Sequence, residues 1–383
     1  MKVAIVFILF SLLLSGCSSI NPLDSTVSSL KEDMTYDHFQ NFYTAENLYE
    51  MTAVYLVDSV TGEKTLMFDF EEKGGPDVDF SSVRNEFVYA TVDGQLYLYS
   101  VEDEHSEAIV SSDGTLENLK RINVPHFSPD GQYVAFWAFG TAKLSELFVI
   151  DLASLKVDRI TASSGAELYN PSYNWSSKND LVMPRGNRTG YAQPWGFFYT
   201  HSGNLGNTTN LFNAEQMQQL NNRSIDLLSE AFFKSDHEIV YAYRNNGGTY
   251  VCKHDLETNI QSSYFFGDDS LWLLGVNETH IFYQVMREDF GKQLLTYDET
   301  DQSHTELIKD DDKFNYFFLQ NLPDDNVMVF LKSEVLPEGA EEEMQTPRQE
   351  LLFLDTGSEK PLILPEYVLD QGQQIDFLGI ASE

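Results

Sequence analysis

Val124-Pro125-His126-Phe127-Ser128-Pro129-Asp130-Gly131-Gln132-Tyr133-Val134-Ala135-Phe136-Trp137, running on to Leu147-Phe148-Val149-Ile150-Asp151, is the stretch that decides the fold. Ser128-Pro129-Asp130-Gly131 suits a tight turn corner by corner: Ser opens it, Pro fixes φ, Asp tolerates the third position and Gly accepts positive φ at the exit. Two strands must meet there. Tyr133 to Ala138 is aromatic, β-branched and almost free of polar atoms, the composition of a strand covered on both faces. Leu147 to Ile150 predicts the next strand, and the Asp151 carboxylate is placed to accept a backbone N–H two residues on and start another turn.

The same order of signals recurs. One copy runs from Asp79-Phe80-Ser81-Ser82 through Phe87-Val88-Tyr89-Ala90 to Leu96-Tyr97-Leu98-Tyr99. Another runs from Phe232-Phe233-Lys234-Ser235-Asp236 through Ile239-Val240-Tyr241-Ala242 to His254-Asp255. Further copies begin at Leu273-Leu274-Gly275, ending at Asp298, and at Phe317-Phe318-Leu319, ending at Asp355. The copy around Tyr173-Asn174-Trp175-Ser176 departs furthest from the pattern. Near the N-terminus Ala53 to Asp58 reads as a third strand closed by Asp, and near the C-terminus Ile375 to Ile380 reads as a first strand with nothing after it. Joined, they make one blade from both termini and close a ring, leaving no open sheet end. The span from Ala53 to Ser382 divided by seven gives roughly 47 residues per unit, the length of a four-stranded blade. The expectation is an all-β, seven-bladed β-propeller, with six blades as the alternative.

Phe127-Ser128-Pro129-Asp130-Gly131, Val134-Ala135-Phe136 and Leu147-Phe148-Val149-Ile150-Asp151 together resemble the repeat of the TolB-type β-propellers. The resemblance implies a docking platform in the bacterial envelope and carries no catalytic residues with it. The N-terminus points to the same compartment. Met1-Lys2 precedes an apolar run, Val3 to Phe10 and Leu12 to Leu14, too short to span a bilayer, and Leu14-Ser15-Gly16-Cys17 resembles a bacterial lipobox. That implies a signal peptide over residues 1–16, a lipid on Cys17, a flexible tether over 17–35 and the propeller over 36–383. Ser18 after the Cys implies sorting to the outer membrane.

The chain carries 60 acidic and 24 basic residues, a formal charge of -36. Nucleic acid is excluded as a direct partner, because phosphate recognition rests on basic patches. The acidic runs Asp310-Asp311-Asp312 and Glu341-Glu342-Glu343 lack the alternating ligands and Gly of a calcium loop, so they read as solvated segments. Of the two cysteines, Cys17 is assigned to lipid and Cys252 to a buried strand, so no disulfide is expected.

No Gly-x-Ser-x-Gly elbow and no zinc-type spacing of histidines occurs, and no cofactor or metal is implied. His126 and His254 read as strand or turn residues. One segment stands out: Met183 to Trp195 sets two cations among aromatics in an acidic chain. Arg185, Arg188, Tyr191 and Trp195 are therefore candidates for docking an anionic group or a sugar, against the plainer reading of a long hairpin whose arginines pair locally. Asn213 to Asn222 and Glu334 to Gln345 are read as loop insertions, the first a short helix, the second mobile. The favoured function is a noncatalytic, lipid-anchored scaffold for an envelope protein partner. The alternative is a glycan- or anionic-ligand-binding propeller, or an enzyme such as a lyase with a site in the channel.

Overall fold

The computed structural model describes residues 40–47, 50–71, 77–110, 119–140, 145–160, 173–184, 197–200, 208–211, 225–227, 231–245, 248–286, 292–308, 314–322, 327–335, 349–355, 360–363 and 374–381. They form seven antiparallel sheets. Blade 1 holds β1 (Asn41–Asn47), β2 (Met51–Asp58) and β3 (Lys64–Glu71). Blade 2 is β4 to β7 (Val78–Ser81, Glu86–Ala90, Leu96–Ser100, His105–Val110), and blade 3 is β8 to β11 (Leu119–Phe127, Tyr133–Gly140, Ser145–Asp151, Lys156–Arg159). Blade 4 is β12 to β15 (Asn174–Trp175, Leu181–Pro184, Phe197–Thr200, Thr208–Asn210). Blade 5 is β16 to β20 (Ile225–Leu227, Phe232–Phe233, Glu238–Asn245, Gly248–Asp255, Ile260–Gly267). Blade 6 is β21 to β24 (Ser270–Val276, His280–Met286, Lys292–Asp298, Ser303–Ile308) and blade 7 is β25 to β28 (Phe314–Leu322, Val327–Glu334, Gln349–Asp355, Lys360–Ile363).

The ring closes as the sequence predicts. β29 (Gln374–Ile380) returns to blade 1 as its innermost strand and pairs with β1, Phe42 opposite Ile380 and Asn47 opposite Gln374. Ala53 to Asp58 is accordingly the third strand of that sheet, and seven blades rather than six stand around the ring. Blade 5 adds a detail: its innermost strand is split, β17 pairing one end of β18 and β16 the other.

Among the described residues seven buried clusters hold the ring, one at each junction of successive blades, so each blade buries its apolar faces against its neighbours. Val88, Leu96, Phe136 and Ile150 join blades 2 and 3, for example, while Phe42, Val329, Phe353 and Phe377 join blades 7 and 1. Cys252 is buried in the cluster between blades 4 and 5, as expected of a small hydrophobe.

The turns follow from their residues. In Ser128-Pro129-Asp130-Gly131 the Gly131 N–H donates to the Ser128 carbonyl at 2.8 Å, Gly131 has φ of 69°, and the Ser128 hydroxyl accepts from the Tyr133 N–H. Gly is required twice over there, since a Cβ would lie 2.7 Å from Arg84 Cγ of blade 2. In four blades the Asp that ends the third strand opens the outer hairpin: Asp58, Asp151, Asp255 and Asp298 accept N–H groups two residues on. Four residues after each Asp the backbone turns left-handed, at Gly62, Leu155, Asn259 and Gln302. Leu155 has φ of 55° and is 47% exposed, so it bears the Cβ penalty with little burial in return. Leu155→Gly is expected to raise stability by about 1 kcal/mol, read from the urea midpoint. A lower midpoint would mean that the gain in unfolded-chain entropy outweighs relief of strain.

Candidate functional site

The innermost strands line the channel, and the repeat lets their rungs be matched. In the five blades whose further rungs are described, the last residue of the third strand faces Asn41, Glu86, Tyr133, His280 or Val327 on the second. Four residues further on stand Ala45, Ala90, Trp137, Gln284 and Leu331. Opposite these, at one level of the channel wall, are Asp376, Asp77, Asn123, Trp272 and Phe317, the Asp77 rung being marked by the Ala90 N–H donating to the Asp77 carbonyl.

A recurring β-bulge shapes this belt. Between the second and third rungs from the origin, the innermost strand gains Leu378 in blade 1, Leu274 in blade 6 and Leu319 in blade 7. Each of these leucines packs into the cluster shared with the following blade. A bulge increases local twist and re-aims side chains. In two of the three the next residue is Gly, which admits the neighbour: at Gly379, φ is 149° and a Cβ would lie 3.0 Å from Phe80, while at Gly275 a Cβ would lie 2.9 Å from Asn321.

The belt has an aromatic arc and an acidic arc. Leu271 and Leu273 pack into the core between blades 5 and 6, so strand alternation turns Trp272 away from it, leaving Trp272 55% exposed. Phe317, between Tyr316 and Phe318 of the next core, is 44% exposed. Asp376 lies between Ile375 and Phe377, both buried toward blade 7, and is itself half-buried. Burial pushes its carboxyl up to about 7, with His126 drawing it down and Asp77 pushing it further up.

Asp77 and Asp79 brace the next blade. The Asp77 carboxylate accepts the Val124 N–H and that of Asp79 the Phe127 N–H, both at 2.8 Å. They thereby hold β8 across its own irregularity, where Val124 has φ of 50°. His126 Nδ1 is 3.7 Å from Asp79, and its ring meets Tyr173 of blade 4 edge-on at 5.5 Å. The buried Tyr173 hydroxyl reaches the carbonyls of Val124 and Ala135 at 2.6 and 2.7 Å. Asp376, Asp77, Asp79, His126 and Tyr173, from four blades, are thus one electrostatic group. His254, by contrast, is buried in an outer hairpin between Asn259 and Gln261, a structural role.

Chemically, this wall offers ring faces for stacking, carboxylates for accepting hydrogen bonds, and one carboxyl that changes charge near neutrality. Among the described residues no group of three or more His, Cys, Asp or Glu side chains is arranged to hold a metal ion, and no helix is long and apolar enough to cross a membrane. Arg185, Arg188, Tyr191 and Trp195 lie outside the described residues, as do Cys17, Asn213 to Asn222 and the segment 336–345. Glu334, read from sequence as the start of a loop, ends strand β26.

The two faces of the ring differ. Hairpins between first and second strands, and between third and fourth, open on one face and are short, as at 82–85, 128–132 and 152–155. The strand ends bracketing 160–173, 185–196, 211–224, 335–348 and 364–373 all open on the other face. Three of these five connections adjoin blade 4, the most irregular repeat.

No protein-family model and no curated protein sequence matches this chain. Solved structures do. An oligogalacturonate lyase from Vibrio parahaemolyticus aligns with TM-score 0.53 and 12% identity, over 77% of this chain and 92% of its own. The β-propeller domain of the Trilobed protease from Pyrococcus furiosus aligns with TM-score 0.51 and 12% identity, over 86% and 99%. That domain has an open velcro topology, whereas β29 closes the ring here. TolB proteins are among the structural neighbours. The one from Acinetobacter baumannii aligns with TM-score 0.41 and 17% identity, over 74% of this chain and 67% of its own. At these identities the likeness is one of fold.

Proposed function

We propose that this chain is a lipoprotein of the bacterial envelope, cleaved before Cys17 and tethered through residues 17–35, whose propeller docks partner proteins without catalysing a reaction. The observation that carries the docking role is the asymmetry of the ring: every connection of ten or more residues leaves from one face. Loops set on a rigid scaffold are the usual carriers of recognition. In the segment that joins β13 to β14, Arg185, Arg188, Tyr191 and Trp195 are the residues proposed to meet an anionic group on the partner, guanidinium forks and rings supplying the contacts. The lipobox Leu14-Ser15-Gly16-Cys17 supports the anchor and Ser18 the outer membrane.

The lyase alternative is weaker on charge. An oligogalacturonate is a polyanion, and in this channel it would meet Asp376, Asp77 and Asp79.

Two measurements test the proposal. Cys17→Ala is expected to move the protein from the detergent phase to the aqueous phase and to abolish incorporation of a fatty-acid label, since one anchored residue bearing several acyl chains supplies the membrane affinity. Retention in the detergent phase would overturn the anchor. Crosslinking in intact cells is expected to recover a defined envelope protein, and an Arg185→Ala, Arg188→Ala double variant to lose it. An unchanged crosslink in that variant would remove the two arginines from the docking surface.

A further inference from the structure

The fourth strand of each blade pairs on one side only, so its free N–H and C=O groups template another strand unless charge, proline or shortness protects them. Six outer strands here are protected. β3 carries Lys64, Asp69 and Glu71, β7 carries Glu107, and β11 carries Lys156, Asp158 and Arg159. β24 carries Glu306, β28 has Lys360 and Pro361, and β15 is three residues long.

β20 lacks charge, proline and shortness, and the bulge at Phe266 near its end leaves Ile260 to Phe265 in regular register with β19. Its eight residues, Ile260–Gly267, include no charge and no proline, and among the described residues it pairs with β19 alone. Ile260 is 65% and Phe265 59% exposed, and Ser262 and Ser263 are exposed between them. The strand is also held firmly. Phe266 packs on Tyr297 and Tyr283 of blade 6 at 4.9 and 5.2 Å, and Phe265 meets Tyr250 at 5.5 Å, which stacks on Tyr243. An exposed, rigid edge costs an incoming strand little ordering of its template.

Charge at its ends decides what fits. Asp255 and Glu257 precede β20 and the exposed Asp268 and Asp269 follow it. A second copy pairing antiparallel would bring Asp268 and Asp269 of one chain toward Glu257 of the other, in a protein of net charge -36. A strand with basic flanks meets complementary charge at both ends. We propose that the β20 edge docks an extended segment of a partner protein, apolar at alternate positions and flanked by lysine or arginine, as an added outer strand of blade 5. This surface is on the rim and is independent of the loop-bearing face.

The test uses the full chain and a synthetic peptide of alternating valine and threonine with two lysines at each end. Binding is expected to slow hydrogen exchange at 260–267, and a glutamate-flanked version is expected to bind roughly tenfold more weakly. Ile260→Lys with Phe265→Lys is expected to abolish binding while leaving the far-ultraviolet circular dichroism intact. Ser262→Lys provides a milder second variant should the double one misfold, and Leu66→Lys on β3 should bind as before. Equal binding of both peptides, protection elsewhere, or undiminished binding by the β20 variants would overturn the proposal. So would self-association that protects β20, which would make a second copy the occupant.

Discussion

A chain ending at residue 373 is expected to lose its cooperative unfolding transition. β29 contributes Ile375, Phe377 and Leu378, all buried, the first two in the core between blades 7 and 1 and the third in that between blades 1 and 2. Burying each such side chain contributes about 1.5–3 kcal/mol, so the strand's share rivals the 5–15 kcal/mol that typically separates folded from unfolded protein. Its loss would also expose the β1 edge along the channel. The converse variant should stabilise: cysteines at Asn47 and Gln374, paired partners in the β1–β29 register, would lock the ring. A crosslink closing so long a chain typically adds about 2–4 kcal/mol. Urea unfolding with and without reductant measures the gain, and a truncated protein unfolding at the intact chain's midpoint would show that the closure does not matter.

This closure was legible because its signals are local. The turn chemistry of Ser128 to Gly131, the Asp that ends five of the seven third strands, and the apolar run at Ile375 to Ile380 each announce a piece of blade, and only their count was needed. β1 was harder to see, since Thr44 and Glu46 interrupt its apolar pattern. Both are buried, and Glu46 is paired with Lys64 across the sheet, a compensation visible only after folding. The belt was hidden for a related reason. Asp376 meets Asp77 and His126 only once the ring has joined residues far apart in sequence, and Trp272 and Phe317 read as ordinary strand aromatics until their rungs are matched. A carboxylate inside an otherwise apolar first strand was the available signal at Asp376. Conversely, the cationic segment at Arg185 to Trp195 was conspicuous in composition alone, and composition does not say what a loop touches.

Asp376→Asn is expected to stabilise the protein at pH 8 and to leave it nearly unchanged at pH 4. The sign follows from linkage. Burial raises the folded carboxyl to about 7, so between pH 4 and 7 the folded state keeps a proton that the unfolded chain has released. Stability therefore falls as pH rises through that window, and the full penalty persists above it. Its size is a few kcal/mol at most, from about 1.4 kcal/mol for each unit between an ordinary aspartate and this one. Asparagine keeps the volume and never ionises, so its urea midpoint should be flat where the aspartate's declines. The charged groups that act on Asp376 are Asp77 of blade 2 and His126 of blade 3, and Asp79 and Tyr173 connect to it through the His126 ring. Because His126 lowers the Asp376 value, His126→Gln should shift the decline to higher pH, a result that burial alone would not produce. Matching pH profiles for aspartate and asparagine would mean that the carboxyl ionises freely. At neutral pH, therefore, the ionised Asp376 carboxylate weakens the very sheet that closes the ring.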